Sequence, residues 1–139
     1  MAITVTKVDV WTTEIADQPG GLSAKLDPLA QAGVNLDFVM ARRRPDKPGS
    51  GVVFAVGMKG AKGAKVATAA GWQKSDAIGA VRVEGGDKPG ACHKLLKKLA
   101  AANLNLRGMS ASVIGSKFVT FLAFDSTADA AQAAKLLKK

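Results

Sequence analysis

The strongest constraint on the fold of this chain is an internal repeat. Residues 17–36, DQPGGLSAKLDPLAQAGVNL, align without a gap on residues 87–106, DKPGACHKLLKKLAAANLNL, seventy positions on (87 − 17 = 70). The matched pairs are Asp17/Asp87, Pro19/Pro89, Gly20/Gly90, Leu26/Leu96, Leu29/Leu99, Ala30/Ala100, Ala32/Ala102, Asn35/Asn105 and Leu36/Leu106. A glutamate stands three residues before each aspartate, Glu14 and Glu84. Agreement on this scale marks a duplication, and a duplication has to be read before any single motif.

Each copy follows the same order of local signals. A β-rich stretch comes first, Val8–Ile15 in one copy and Ala80–Glu84 in the other. The Asp-x-Pro-Gly turn follows, where Pro presets φ and Gly reaches conformations closed to other residues. Apolar residues then recur at helical spacing: Leu22, Leu26, Leu29 and Ala30 in copy one, Cys92, Leu96, Leu99 and Ala100 in copy two. Gly33 and Asn103, the residue types that best tolerate a left-handed C-cap, stop the two helices at equivalent places.

Two strands come next in each copy. They are Leu36–Ala41 and Val52–Met58 around the basic loop RRRPDKPGSG, and Leu106–Val113 and Phe118–Phe124 around Gly115-Ser116, which suits a two-residue hairpin. A second helix closes each copy. One is a Gly-interrupted segment, Ala61–Ala70; the other opens on Ser126 and Asp129, spaced like a capping box.

The order β-α-β-β-α, written twice, predicts an α+β fold: two ferredoxin-like βαββα(β) units with antiparallel sheets and helices on one face. The expected division is 1–78 and 79–139. Copy one adds a short last strand near Trp72–Lys74, whereas copy two ends on a helix. Ile3–Thr6 is the candidate for its vacant edge. Pro28 conflicts with the pattern, since it falls inside the first helix and predicts a kink there or an irregular first turn.

Composition narrows the function classes. At 139 residues and 47% hydrophobic the chain suits a folded globular protein. No apolar run reaches membrane-spanning length. The segment MAITVTKVDVW lacks the charged and apolar regions of a signal peptide. One cysteine, Cys92, excludes an internal disulfide and points to a reducing, cytoplasmic setting.

The net charge of +9 gathers in Arg42–Arg44, Lys94/Lys97/Lys98 and Lys135/Lys138/Lys139, which raises nucleic acid as an alternative partner. Against it stand the absence of Tyr and the placement of Phe118, Phe121 and Phe124 in a core-like run, leaving no stacking platform. The loop Arg42–Gly51 is the best placed of the basic segments for a partner contact, and equally reads as an exposed hairpin tip.

Other chemistry finds little support. Cys92 beside His93 has no carboxylate placed to orient the imidazole, and Cys92 occupies the repeat position of Leu22, so it reads as a buried thiol. One Cys and one His make no zinc set. GMKGAKGAK lacks the spacing of a phosphate loop, so no cofactor is expected. Trp11 and Trp72 read as core or interface residues. Asp17 and Asp87 have two readings, a helix N-cap or a ligand contact, and both rest on the same geometry. Asn35 and Asn105 are open in the same way, between a backbone partner at a helix-to-strand corner and a ligand partner.

The paired stretches DQPGGLSAKLDPLAQAGVNL and DKPGACHKLLKKLAAANLNL resemble the signature of the ACT domain, a small regulatory module of amino-acid metabolism with a βαββαβ fold. The resemblance covers nearly the whole chain as two tandem units, with no catalytic domain attached. It implies a non-enzymatic regulator or sensor that binds a small ligand, usually an amino acid, at an interface between paired ACT units. A homodimer and a separate metabolic enzyme as partner are further expectations of that kind. The ligand residues it implies are Asp17, Gly20, Gly21, Leu22 and Asn35, with Asp87, Gly90, Ala91 and Asn105. Backbone N–H groups at a helix N-terminus suit the ligand's carboxylate, and an aspartate suits its ammonium group. Copy two departs from the signature at Cys92 and His93, where copy one has Leu22 and Ser23.

Overall fold

Alternating residues and short turns produce eight strands and four helices in the computed structural model, which describes residues 2–139. The chain divides into two compact units, residues 9–75 and residues 76–139 together with the strand before residue 9.

In the unit of residues 9–75 the elements run β2 (Trp11–Ala16), α1 (Gly21–Gln31), β3 (Phe38–Arg43), β4 (Ser50–Val56), α2 (Gly60–Ala69) and β5 (Gln73–Lys74). The sheet order is β3-β4-β2-β5, with antiparallel neighbours throughout. Cross-strand partners share a face. Trp11 opposes Ala55 and Thr13 opposes Val53 on the face that buries Leu29 of α1 and Ala67 of α2. Both tryptophans lie in this core. The basic loop is shorter than its sequence suggests, because β3 runs on to Arg43 and β4 begins at Ser50.

The other unit comprises β1 (Ile3–Val8), β6 (Gly79–Gly86), α3 (Ala91–Ala101), β7 (Leu106–Ile114), β8 (Lys117–Phe124) and α4 (Thr127–Leu137), with sheet order β1-β6-β8-β7. β1 pairs antiparallel with β6 from Ile3↔Gly85 to Val8↔Ala80, and so fills the edge that copy two leaves open. A single cut after residue 78 would separate this strand from its sheet. Both units are the ferredoxin-like sandwich, and in the second the fourth strand comes from the chain's beginning. Val5, Val83, Leu122 and Phe118 face α3 and α4, where Leu95, Leu99, Ala133 and Leu137 complete the core.

The local signals behave as their chemistry requires. Gly33 (φ 77°) and Asn103 (φ 60°) both adopt the left-handed conformation. The bonds Val34 N–H to Leu29 O and Leu104 N–H to Leu99 O, each 2.9 Å, then close the same Schellman-type C-cap in both copies. Gly115, at φ 62°, turns the β7–β8 hairpin. Ser126 caps α4 by accepting the Asp129 N–H at 3.0 Å. α1 continues through Pro28 to Gln31, and its first turn opens as that of α3 does. Pro28 lies in the exposed C-terminal half, where one lost backbone bond does not end the helix.

The helical stripes differ in one respect from the repeat. Leu29 and Leu99 are buried, but Ala30 and Ala100 are exposed, and Leu95 takes the inward place in α3. No helix among the described residues is long and apolar enough to cross a membrane.

Candidate functional site

The two Asp-x-Pro-Gly loops connect the first strand of each repeat to its helix, β2 to α1 and β6 to α3. In both, glycine at the N-cap position is left-handed: Gly20 at φ 84° and Gly90 at φ 81°. Neither helix has a side-chain cap or an acidic residue in its first turn. Asp17 and Asp87 therefore are not N-caps, which settles that reading of the aspartates. Their backbones serve another purpose. Asp17 N–H donates to Gly49 O (3.0 Å) and Asp87 N–H to Ser116 O (2.9 Å), so each loop is tied to the hairpin turn of its own unit.

Side-chain surroundings separate the copies. The Asp17 carboxylate receives Arg43 Nε at 2.9 Å, an exposed pair. Among the described residues no cation pairs with Asp87, which is exposed. Gly21 begins α1 so close to β2 that a Cβ there would run into the Ala16 carbonyl oxygen. Its counterpart Ala91 carries that methyl group and buries it in the core. Leu22 is likewise half-buried against its own core.

A cleft of about 370 Å³ opens at the start of α1, lined by Glu14, Ile15, Gln18, Gly20, Gly21 and Lys25 among others. That volume lies near the small end of the range for small-molecule sites, about 300–1,000 Å³. Gly20 and Gly21 belong to this cleft; Asn35 does not. It lines a separate depression of about 280 Å³ with Gly57, Lys59 and Lys62, beyond the other end of α1. Asn105 is exposed just before β7.

Glu14 of β2 and Lys25 of α1 are the charged residues lining the cleft, and the β3–β4 hairpin brings two cations to Glu14. Glu14 accepts from Lys47 Nζ at 2.6 Å and from Arg44 Nη1 at 3.4 Å. The Lys47 hydrogen bond is the main cause holding the Glu14 carboxyl below its ordinary range, with both cations adding to it. Arg44 also donates to Asp46 (2.7 Å), which lowers the Asp46 carboxyl and raises the guanidinium. Sequence reasoning did not single out Glu14 and Arg43 as neighbours of the loop. The only signal was that Glu14, like Glu84, precedes its aspartate by three.

Other candidates fall into place as packing. Trp11 and Trp72 are buried, as are Phe118 and Phe124, while Phe121 is half-buried on the opposite face of the sheet. Cys92 is half-buried against the core, and His93 is exposed. Among the described residues no group of His, Cys, Asp and Glu is arranged to hold a metal.

Neither a protein-family profile nor a curated protein matches the chain. Solved structures do. The protein BT0572 from Bacteroides thetaiotaomicron superposes with a TM-score of 0.76 at 16% identity, over 98% of this chain and 90% of that one. The regulatory subunit of aspartate kinase from Thermus thermophilus gives 0.65 at 15% identity, over 97% and 93%. Aspartokinase III of E. coli, solved in complex with lysine and aspartate, gives 0.56 at 14% identity over 98% of this chain and 32% of its own. What is shared at this identity is the fold, and it spans both halves of the chain: two ferredoxin-like units in tandem.

Proposed function

We propose that this protein is a regulator that binds a free amino acid at the Asp-x-Pro-Gly loop and transmits the binding event without catalysis. The observation that carries the reading is the uncapped start of α1, with left-handed Gly20 and tightly docked Gly21, facing a cleft of about 370 Å³. The Gly21 N–H is taken by the Gln18 carbonyl (3.0 Å), and the following first-turn N–H groups, with no side-chain acceptor at the positive end of the helix, suit a carboxylate. Asp17 supplies the acceptor for an α-ammonium group, which would compete with Arg43 for it. A fold shared with aspartate kinase regulatory subunits, and with an aspartokinase solved with lysine and aspartate bound, supports a ligand of this class.

The working form in this reading is a homodimer. The ligand acts by favouring one subunit arrangement, and a separate enzyme reads the change.

Thermal unfolding against each of the twenty amino acids tests the reading. A ligand at one hundred times its dissociation constant adds about 2.7 kcal/mol. No shift with any of them, up to solubility, would sink it. Given a hit, Asp17→Ala should abolish the shift if copy one holds the site, and Asp87→Ala if copy two does. Retention of binding in both variants rejects the aspartates as ligand contacts.

A further inference from the structure

We propose that the amino acid held in the Gly20 cleft has an acidic side chain, and that Lys25 receives its second carboxylate. The inference rests on the amino-acid reading above and names the class of ligand that the cleft selects.

Lys25 stands where the twin unit has an apolar residue. Its repeat partner, seventy positions on, is Leu95, which is buried in the core under α3. A lysine at such a place is half-buried and needs water or an anion for its ammonium group. Nothing on its own helix supplies the anion. Charges three or four positions apart on a helix face each other, and those positions around Lys25 hold Gly21, Leu22, Pro28 and Leu29. Asp27, two positions on, is off that face. The ammonium group lies instead beside Gly71, just past the C-terminal end of α2, where a Cβ would come within 2.9 Å of Nζ. The negative end of that helix favours the charged form there.

The other charges at the cleft are already matched. Asp17 holds Arg43 (2.9 Å), Glu14 holds Lys47 (2.6 Å) and Asp46 holds Arg44 (2.7 Å). Lys25 pairs with no carboxylate among the described residues. Four cations against three carboxylates leave a local charge of +1 (4 − 3 = 1).

That remainder selects the ligand. A neutral side chain on a zwitterionic amino acid leaves the +1 in place. A basic one adds to it, and finds a carboxylate only by displacing Arg43, Arg44 or Lys47. An acidic one cancels it. Geometry agrees, because Lys25 lies one turn beyond Gly21 on the same face of α1, about 6 Å along the axis. Long helical side chains lean back toward the N-terminus. With its α-carboxylate on the first-turn N–H groups, aspartate or glutamate places the second carboxylate within reach of Lys25. Copy two, with Leu95 at this position, lacks the means for this choice.

Calorimetric titration of the full chain with aspartate, asparagine, glutamate, glutamine and lysine tests the inference. Each acid should bind about tenfold tighter than its amide, as a charge-assisted contact implies. Lys25→Gln should erase that preference while asparagine binds as it does to wild type, and Lys25→Arg should keep it. Lys65→Gln removes the same charge from the exposed face of α2 and should leave the preference intact. Binding of no amino acid overturns the amino-acid reading and this inference with it. An amide or lysine that binds as well as the acids overturns the acidic class and leaves that reading standing. A preference that survives Lys25→Gln, or falls equally with Lys65→Gln, overturns Lys25 as its source.

Discussion

The two Asp-x-Pro-Gly loops share a backbone and differ in nearly everything their side chains touch. Both turn on a left-handed glycine, both leave the helix without a side-chain cap, and both hang from their own hairpin turn by the aspartate N–H. Around that common frame, copy one has Arg43 on Asp17 and bare Gly21 against Ala16, whereas copy two has an Asp87 with no cation partner among the described residues and the buried Ala91 methyl. The backbone is set by residues within a few positions of the turn. The chemistry is set by a hairpin that differs in length and charge between the units. Duplication thus preserves a scaffold and leaves the site free to diverge.

The largest expected effect tests whether the copies are equivalent at their cores. Leu29→Ala and Leu99→Ala remove the same matched side chain, and each should destabilise by about 2–5 kcal/mol. Both tryptophans belong to the core of residues 9–75. Leu29→Ala should therefore move the fluorescence transition in urea, and Leu99→Ala the far-ultraviolet circular dichroism transition. Costs differing by more than a factor of two would break the equivalence.

A smaller effect should separate the loops. Gly21→Ala forces a methyl into the Ala16 carbonyl and should destabilise by about 1–3 kcal/mol. The mirror change, Ala91→Gly, loses one buried methyl and adds backbone freedom, about 1 kcal/mol in all. Equal denaturation midpoints for the two variants would mean that the close approach at Gly21 is not a real difference between the copies.

Capping gives the next contrast. Ser126→Ala removes an observed cap and should cost about 1 kcal/mol. Asp17→Ala and Asp87→Ala remove none and should stay within about 0.5 kcal/mol of wild type. A loss from either aspartate as large as that from Ser126 would restore a capping role.

The smallest effect belongs to copy one alone. Glu14 has a lowered folded-state pKa, so its contribution to stability is present above the unfolded glutamate value and is lost as pH falls through the folded one. Lys47→Ala should move the Glu14 titration, followed by carbon-detected NMR, upward toward the ordinary range. An unmoved titration would show that the hairpin does not reach Glu14 in solution.

Much of this fold is legible from residue order because its determinants are local. The repeat identifies two βαββα units, Gly33 and Asn103 mark where each first helix ends, and Ser126 with Asp129 marks where the last begins. Those features depend on hydrogen bonds and φ preferences spanning a few residues, and so they appear wherever the residues do. Tertiary structure alone decided the rest. It turned Ala30 and Ala100 outward and placed Asn35 in a depression apart from the Gly20 cleft. It also brought Arg43 to Asp17 across 26 positions, and left Met109 and Val113 uncovered on a charge-free edge. These outcomes depend on which distant surfaces meet once the sheets are formed, and no local periodicity encodes that meeting.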